Sequence, residues 1–461
     1  MSTALAGFCM LGFLSACQSL YYTIPSEVLQ RRHRALGQAV VNISSGLGGV
    51  TGILVGGALL RNGNAENYRY YWYMCIAIGA LGLAGAYFGY NPPLRELQSS
   101  LTLPQKLQRI DWIGTALFSS GLTLFCIALQ WSYNPYSWTN SHVLAPFVSG
   151  LVLIACFIVY EWLIKKDGIF DHRLFTDWNF TIAILAVFVE GLAFFAVNSY
   201  FVAEVSMVNR TDFFDSATRF VLFFVTSAIL APIAAYYTTV TKQAREPLVA
   251  GFICLALATS LLAGTIKSDS SPSLFWGYIV LAGAGMGAIL TNLPVVAQMA
   301  TPAEMISVTT GILMSSRSLG GVVGLAINNA LLNAALVKNL SRKVAAAVMP
   351  LGFPATGLAQ LIPALESGNQ QVIAQVAGVT PEIAAAGGLA VLDSYVLAFR
   401  HAWIAAASFS GLGVIVVLFL RNPKSAFNKH IDAPAEEELI ILQEEIEGRL
   451  HEEIVSNEKK A

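Results

Sequence analysis

Apolar positions along the chain gather into long runs, and eleven of these approach the about 20 residues that a helix needs to cross a bilayer. They cover roughly 4–24, 38–60, 71–90, 111–131, 143–163, 180–203, 217–238, 248–266, 274–296, 306–335 and 397–420. The pattern predicts an all-α polytopic membrane protein. The first run begins almost at Met1 and lacks the basic start, short apolar core and cleavage signal of a secretory leader, so it reads as a span. Two segments do not span. Residues 336–396 are expected to form a long outer loop, whose apolar pieces, such as Thr356–Leu365, are short helices on the bilayer surface or capping the bundle. Beyond Arg421, Ala435–Val455 places Leu439, Leu442, Ile446, Leu450 and Ile454 on one helical stripe opposite many glutamates. A solvated amphipathic tail helix is expected there.

Within the second run, Gly48 to Gly57 reads Gly-Gly-Val-Thr-Gly-Ile-Leu-Val-Gly-Gly. Glycine costs a helix about 1 kcal/mol against alanine, so this density points to a place where another backbone comes close. Gly48, Gly52 and Gly56 recur at intervals of four, the small-xxx-small spacing by which helices associate in lipid, with Gly57 beside them.

Composition agrees with the class. Apolar residues make up 55% of the chain and charged residues only 12%, against about 25% in soluble domains. Mean hydropathy is +0.61. A net charge of −1 suggests no nucleic-acid partner. The six cysteines all fall in apolar runs, so neither a disulfide framework nor a thiolate metal site is implied. Charge also orients the chain. One set of short loops carries Arg31, Arg32, Arg34, Arg95, Lys106, Arg109, Lys165, Lys166, Arg173, Lys242 and Arg245. The opposite set carries only Arg61, Arg69, Arg210 and Lys267. The basic set is therefore expected in the cytoplasm together with the C-terminus, with the N-terminus outside. Asn209-Arg210-Thr211 is a glycosylation sequon in an outer loop, whereas Asn179-Phe180-Thr181 falls on the inner side.

The glycine run has an echo. Ser315-Ser316-Arg317-Ser318-Leu319-Gly320-Gly321-Val322-Val323-Gly324 in the tenth run repeats the character of Ser44–Gly52 in the second. Both follow a proline near the end of the preceding run (Pro25, Pro294) and a short inner loop. This is a parallel repeat of the kind that builds two-bundle transporters. It suggests that both glycine runs lie where two bundles meet, with Gly320, Gly321 and Gly324 as the second packing motif.

At these residues the chain resembles a known family. Gly48–Gly57 looks like the antiporter motif GxxxGPxxGG of proton-coupled exporters in the major facilitator superfamily, with Ile53 in place of the usual proline. Asp111–Thr115, Phe175–Leu185, Ala300–Pro302, Arg317–Gly324 and Ala398–Trp403 look like fourteen-span fungal drug:proton antiporters of the trichothecene efflux pump group. Siderophore transporters of the same superfamily are similar. The resemblance implies a major facilitator fold of about eleven transmembrane helices. They divide into a partial N-terminal bundle (1–95), two linker spans (96–178), a complete C-terminal six-span bundle (179–425) and an acidic cytoplasmic tail (426–461). If the second run matches the family's fifth helix, the first three family helices and their basic loop do not appear in this sequence. The resemblance implies efflux of small apolar compounds (toxins, drugs or secondary metabolites) coupled to protons, in a multi-pass protein of the plasma membrane. The alternatives are a siderophore-type transporter and a membrane remnant that does not transport.

Charges inside spans locate the candidate chemistry, since a central Asp, Glu or Arg costs about 2.5–3.5 kcal/mol on insertion scales. Glu190, near the centre of the sixth run, and Arg317, inside the tenth, are the two proton-coupling candidates. Each has a structural alternative: a carboxylate hydrogen-bonded to a neighbouring helix, and an arginine clamping a helix interface. Glu161, Arg219 and Arg400 lie close enough to run ends to snorkel. Gln18, Asn198, Thr291 and Asn292 are candidate cavity-lining residues or interhelical hydrogen bonds, and the 26 Phe, 16 Tyr and 8 Trp supply walls for flat apolar compounds. Tyr70–Tyr73 reads as interfacial belt. Enzyme classes find no support: the six histidines are scattered, and neither His-Glu-x-x-His nor a phosphate-binding loop occurs. Gly283-Ala284-Gly285-Met286-Gly287 superficially resembles a dinucleotide loop but lies mid-run with no strand before it. No cofactor or metal is implied, and the partners expected are a small-molecule substrate, protons and the lipid bilayer.

Overall fold

Ten helices are long and apolar enough to cross a membrane among the residues described by the computed structural model. Those residues are 2–15, 17–61, 65–89, 102–108, 110–132, 136–165, 168, 172–209 and 211–432. In chain order the helices are α1 (Ser2–Ser15), α2 (Gln18–Val28), α3 (Arg34–Arg61), α4 (Tyr68–Gly89), the short α5 (Leu103–Gln108), α6 (Trp112–Trp131) and α7 (Ser141–Leu163). They continue with α8 (Trp178–Asn209), α9 (Phe213–Thr241), α10 (Arg245–Thr265), α11 (Pro272–Met299), α12 (Ile306–Val348), α13 (Leu358–Glu366), α14 (Gln370–Ala374) and α15 (Pro381–Leu418). The tail helix expected over Ala435–Val455 lies outside the described residues.

Local sequence sets the helix starts. Asp111 caps α6 by accepting from the Gly114 N–H at 2.9 Å, and it also takes the Tyr160 hydroxyl of α7 at 3.1 Å. Proline opens α11 and α15 just after the capping residues Ser271 and Thr380. The first expected span is divided into α1 and α2, and a new turn begins with the Leu20 N–H on the Cys17 carbonyl.

Helices α8, α9, α10, α11, α12 and α15 pack into one bundle, in which α8 and α11 are the most enclosed. Helix α3 lies against α9 and α11, α2 against α12, and α6 and α7 chiefly against each other. The short-helix reading of 336–396 needs correction. At 43 residues α12 is about 65 Å long, so it runs well past a hydrocarbon core of about 30 Å. Helix α15 likewise begins at Pro381. The extensions form because Val344 and Val348 of α12, Leu361 and Leu365 of α13, and Ile383 and Val391 of α15 bury one another in a second apolar core around Phe353. The capping helix expected over Thr356–Leu365 is α13, packed on α12 and α15.

The glycine motifs divide differently from the expectation. A methyl group added at Gly48 would meet nothing within 4 Å, and at Gly52 and Gly56 only the Tyr71 side chain at 3.4 and 3.5 Å, among the described residues. Gly46, Gly49 and Gly57 are the glycines of α3 that press on α9, against Phe224 and Phe214. The backbone-close seam is instead α8 on α12. There Gly320 faces the Phe188 carbonyl, Gly324 faces Leu192, and Gly191 faces the Arg317 carbonyl. Both helices belong to the same bundle, so the second motif holds a bundle together rather than joining two. The Gly283–Gly287 stretch has a plain role of the same kind. Gly283 and Gly287 take the backbone of α9 at Phe223 and Ser227, while Gly285 takes that of α10 at Gly251.

Candidate functional site

The α8–α12 seam brings the two intramembrane charges together. Arg317 Nε donates to Glu190 Oε2 at 2.8 Å, and Nη2 donates to Oε1 at 3.1 Å, a fork-on-fork pair between residues 127 positions apart. Glu190 is fully enclosed and Arg317 is buried. Phe194 and Phe195 of α8 lie beside the guanidinium, with ring centroids 4.7 and 5.7 Å from its carbon. Each charge alone would be costly to bury; paired, and with aromatic faces on the cation, they satisfy each other.

One helical turn beyond Phe194, a cavity of about 490 Å³ opens between α3, α4, α8 and α9. Gly52 and Gly56 form one wall, Tyr68, Tyr71 and Trp72 of α4 another, and Asn198, Ser199 and Phe220 face them. The stripe of glycines on α3 therefore makes room for this cavity. An aromatic row leads from it to the ion pair. Phe220 stacks on Phe223 with centroids 5.3 Å apart, Phe223 lies 5.8 Å from Phe194, and Phe194 carries Arg317.

Of the candidate cavity residues, Asn198 lines this space and Gln18 is exposed at the start of α2. Thr291 and Asn292 are fully buried ties between helices: Asn42 Nδ2 donates to Thr291 Oγ1 at 3.0 Å, and the Thr238 hydroxyl donates to Asn292 Oδ1 at 2.6 Å. Asn209 ends α8 with its amide nitrogen buried. Asn179 is occupied by the Arg421 backbone, donating to its carbonyl and accepting from its N–H at 2.9 Å each.

Two groups of residues escape the sequence reading. The first is a buried polar cluster joining α2 and α3 to α11 and α12. Gln38 Nε2 donates to Ser26 Oγ at 2.7 Å, Ser26 Oγ lies 2.6 Å from Gln298 Oε1, and Gln298 Nε2 donates to Thr310 at 2.9 Å. Gln38 and Thr310 are polar residues inside expected runs, a signal that points to part of the cluster, whereas Ser26 and Gln298 lie just past the ends of theirs. The second is Glu204, almost fully buried, whose Oε2 accepts from Trp403 Nε1 at 2.7 Å. It falls just past the end of the expected span, which stops near 203, whereas α8 continues to Asn209. Arg400 is likewise interior to α15 rather than at its end, and its Nη2 reaches the Ile266 carbonyl at 3.4 Å.

These helices, charges and cavity define an all-α polytopic membrane protein. The profile of the Major Facilitator Superfamily matches residues 1–325, and the chain belongs to that superfamily. It is 27% identical over 341 residues to the MFS-type efflux pump MFS1 of Arthroderma benhamiae, a match covering 73% of this chain and 61% of that protein. Similarity to the efflux pump FUS6 of Gibberella moniliformis is 23% over 401 residues, covering 86% and 67% of the two chains. The MFS-type transporter sphD of Aspergillus fumigatus is 24% identical over 400 residues, covering 85% and 64%. The chain thus spans about three fifths to two thirds of the length of these relatives.

Proposed function

We propose that the protein exports small, flat, largely apolar compounds in exchange for protons, with Glu190 as the proton-binding carboxylate and Arg317 as its partner. The observation that carries this reading is the unbroken aromatic row from the cavity to the ion pair. With Glu190 ionised, Arg317 is held and in turn holds Phe194, which keeps the row and the cavity wall in place. A proton on Glu190 removes the charge that holds Arg317, lets Phe194 and Phe223 shift, and spoils the cavity for its occupant. Proton and substrate then exclude each other, which is the linkage an exchanger needs. No ionised side chain lines the cavity among the described residues, which favours uncharged planar compounds over a charged chelate. The lysine and arginine bias supports placing the Arg31–Arg34 face in the cytoplasm of a plasma-membrane protein.

The test is efflux of a planar apolar fluorophore from vesicles under an imposed proton gradient. Glu190→Gln keeps an acceptor oxygen for Arg317 but not the charge, and it is expected to abolish gradient-driven efflux when efflux is normalised to the amount of folded protein in the vesicles. Undiminished efflux by that variant removes Glu190 from the mechanism.

A further inference from the structure

The segment that follows α15 crosses from one part of the protein to the other. It starts anchored in the six-helix bundle, where Asn422 Oδ1 accepts from the N–H groups of Ala244 and Arg245 at 3.0 Å each. The Asn422 amide nitrogen donates to Glu246 at 3.0 Å. Its far end lies on the turn between α2 and α3. The Arg31 N–H donates to the His430 carbonyl at 2.9 Å, and the Arg32 N–H donates to the Asn428 carbonyl at 3.0 Å. Asp432, whose side chain is fully enclosed, receives Arg31 Nη2 at 2.7 Å and Nε at 3.0 Å. The same carboxylate pairs with Arg34, also fully enclosed, and lies 3.2 Å from His430 Nε2. Between the two anchors Phe427 is 3% exposed. It packs with Ala35 and Ala39 of α3, Ala231 and Ala235 of α9, and Val295 and Met299 of α11. Phe427 therefore fills the junction where the helices before the linker spans meet those after them.

We propose that residues 422–432 form a strap that holds this face of the transporter closed, and that release of Asp432 from Arg31 and Arg34 opens the junction between α2–α3 and α11–α12. Two features of the contact fit a closure that can be undone. The far end is held by one carboxylate between two arginines, so a single charge removed leaves the buried Arg34 with only the charge of Glu27 to act on it. Beside the apolar contact of Ala35 and Ala39 with Val295 and Met299, the contacts between α2–α3 and α11–α12 include the polar side chains of Ser26, Gln38, Gln298 and Thr310. Such a seam exchanges its hydrogen bonds for those of water at small net cost when it parts. The strap regulates the transport reading above and rests on it, but its closure can be tested without any substrate.

The full chain carrying Ser26→Cys is placed in vesicles of both orientations, and labelling of the introduced thiol by a membrane-impermeant maleimide is timed by peptide mapping. Adding Asp432→Ala is expected to make labelling from the Arg31–Arg34 face about tenfold faster or more, with labelling from the opposite face unchanged. An unchanged rate, or an equal rise from both faces, overturns the strap. A second variant does not depend on tolerating the loss of Asp432. With Arg32→Cys and Asn428→Cys joined by a short reversible thiol cross-linker, labelling of the Ser26→Cys thiol from that face is expected to fall below the uncross-linked rate and to recover on reduction. Equal rates with and without the cross-link overturn the proposal as well.

Discussion

Arg317→Ala is expected to destabilise the protein by about 3–5 kcal/mol, because it leaves Glu190 fully enclosed without its cation. The loss should come from the orphaned carboxylate rather than from the missing contact. The double variant Glu190→Leu with Arg317→Met, which replaces both charges by apolar groups, should therefore recover most of it. Unfolding in mild detergent micelles, followed by denaturant titration, reads all three proteins. A double variant as unstable as the single one would mean that the pair is needed for packing and not only for mutual neutralisation. The loss also bears on coupling, since the guanidinium is what fixes Phe194 at the end of the aromatic row.

The second large effect is expected at the seam beneath that pair. A side chain at Gly320 would place its first carbon 2.9 Å from the Phe188 carbonyl carbon and 3.2 Å from its Cα, and at Gly324 it would lie 2.7 Å from the Leu192 Cα. The neighbours are backbone, which cannot turn aside as a side-chain tip can. Gly320→Val therefore forces α8 and α12 apart, at a cost of about 1–3 kcal/mol or more. It also pulls Glu190 and Arg317 out of register, since Gly191 sits against the Arg317 carbonyl in the same seam. Gly48→Ala serves as the internal contrast and is expected to leave the protein as stable as the wild type or more stable by up to about 1 kcal/mol, since the position is helical and open. Thermal unfolding of both variants checks the assignment. Equal losses at Gly48 and Gly320 would mean that α3 is packed along its glycine stripe after all.

Much of the architecture was legible because lipid imposes a simple rule of length and polarity on the chain. Every expected span after the first falls on a helix long enough to cross, and the two charges of the site stood out by cost alone. Their pairing did not. It depends on how α8 and α12 are rotated and shifted against each other, and that is set by Gly191, Gly320 and Gly324 meeting backbone to backbone. The glycine spacing in α3 was visible, but spacing cannot tell a face that touches a helix from one that opens a cavity. Both are present: Gly49 meets Phe224, and Gly52 lies under Tyr71. The extensions of α12 and α15 were missed because Val344, Val348, Ile383 and Val391 stand among alanines and glycines of low hydropathy, with Lys338, Arg342 and Lys343 just before them on α12, and they make a core only once the two helices stand side by side. Glu204 was passed over for the same reason, since its burial follows from the extra length of α8 and from Trp403 on a helix 199 residues away.

The proposed coupling links the cavity to Glu190 so that proton and occupant exclude each other. The most direct measurement is the affinity of the purified protein for a planar apolar fluorophore that has no titratable group, followed by fluorescence across a range of pH. Binding is expected to weaken as the pH falls in the wild type and to become independent of pH in Glu190→Gln. Binding that ignores pH in the wild type, or that keeps the same pH dependence without the Glu190 carboxylate, would contradict that coupling.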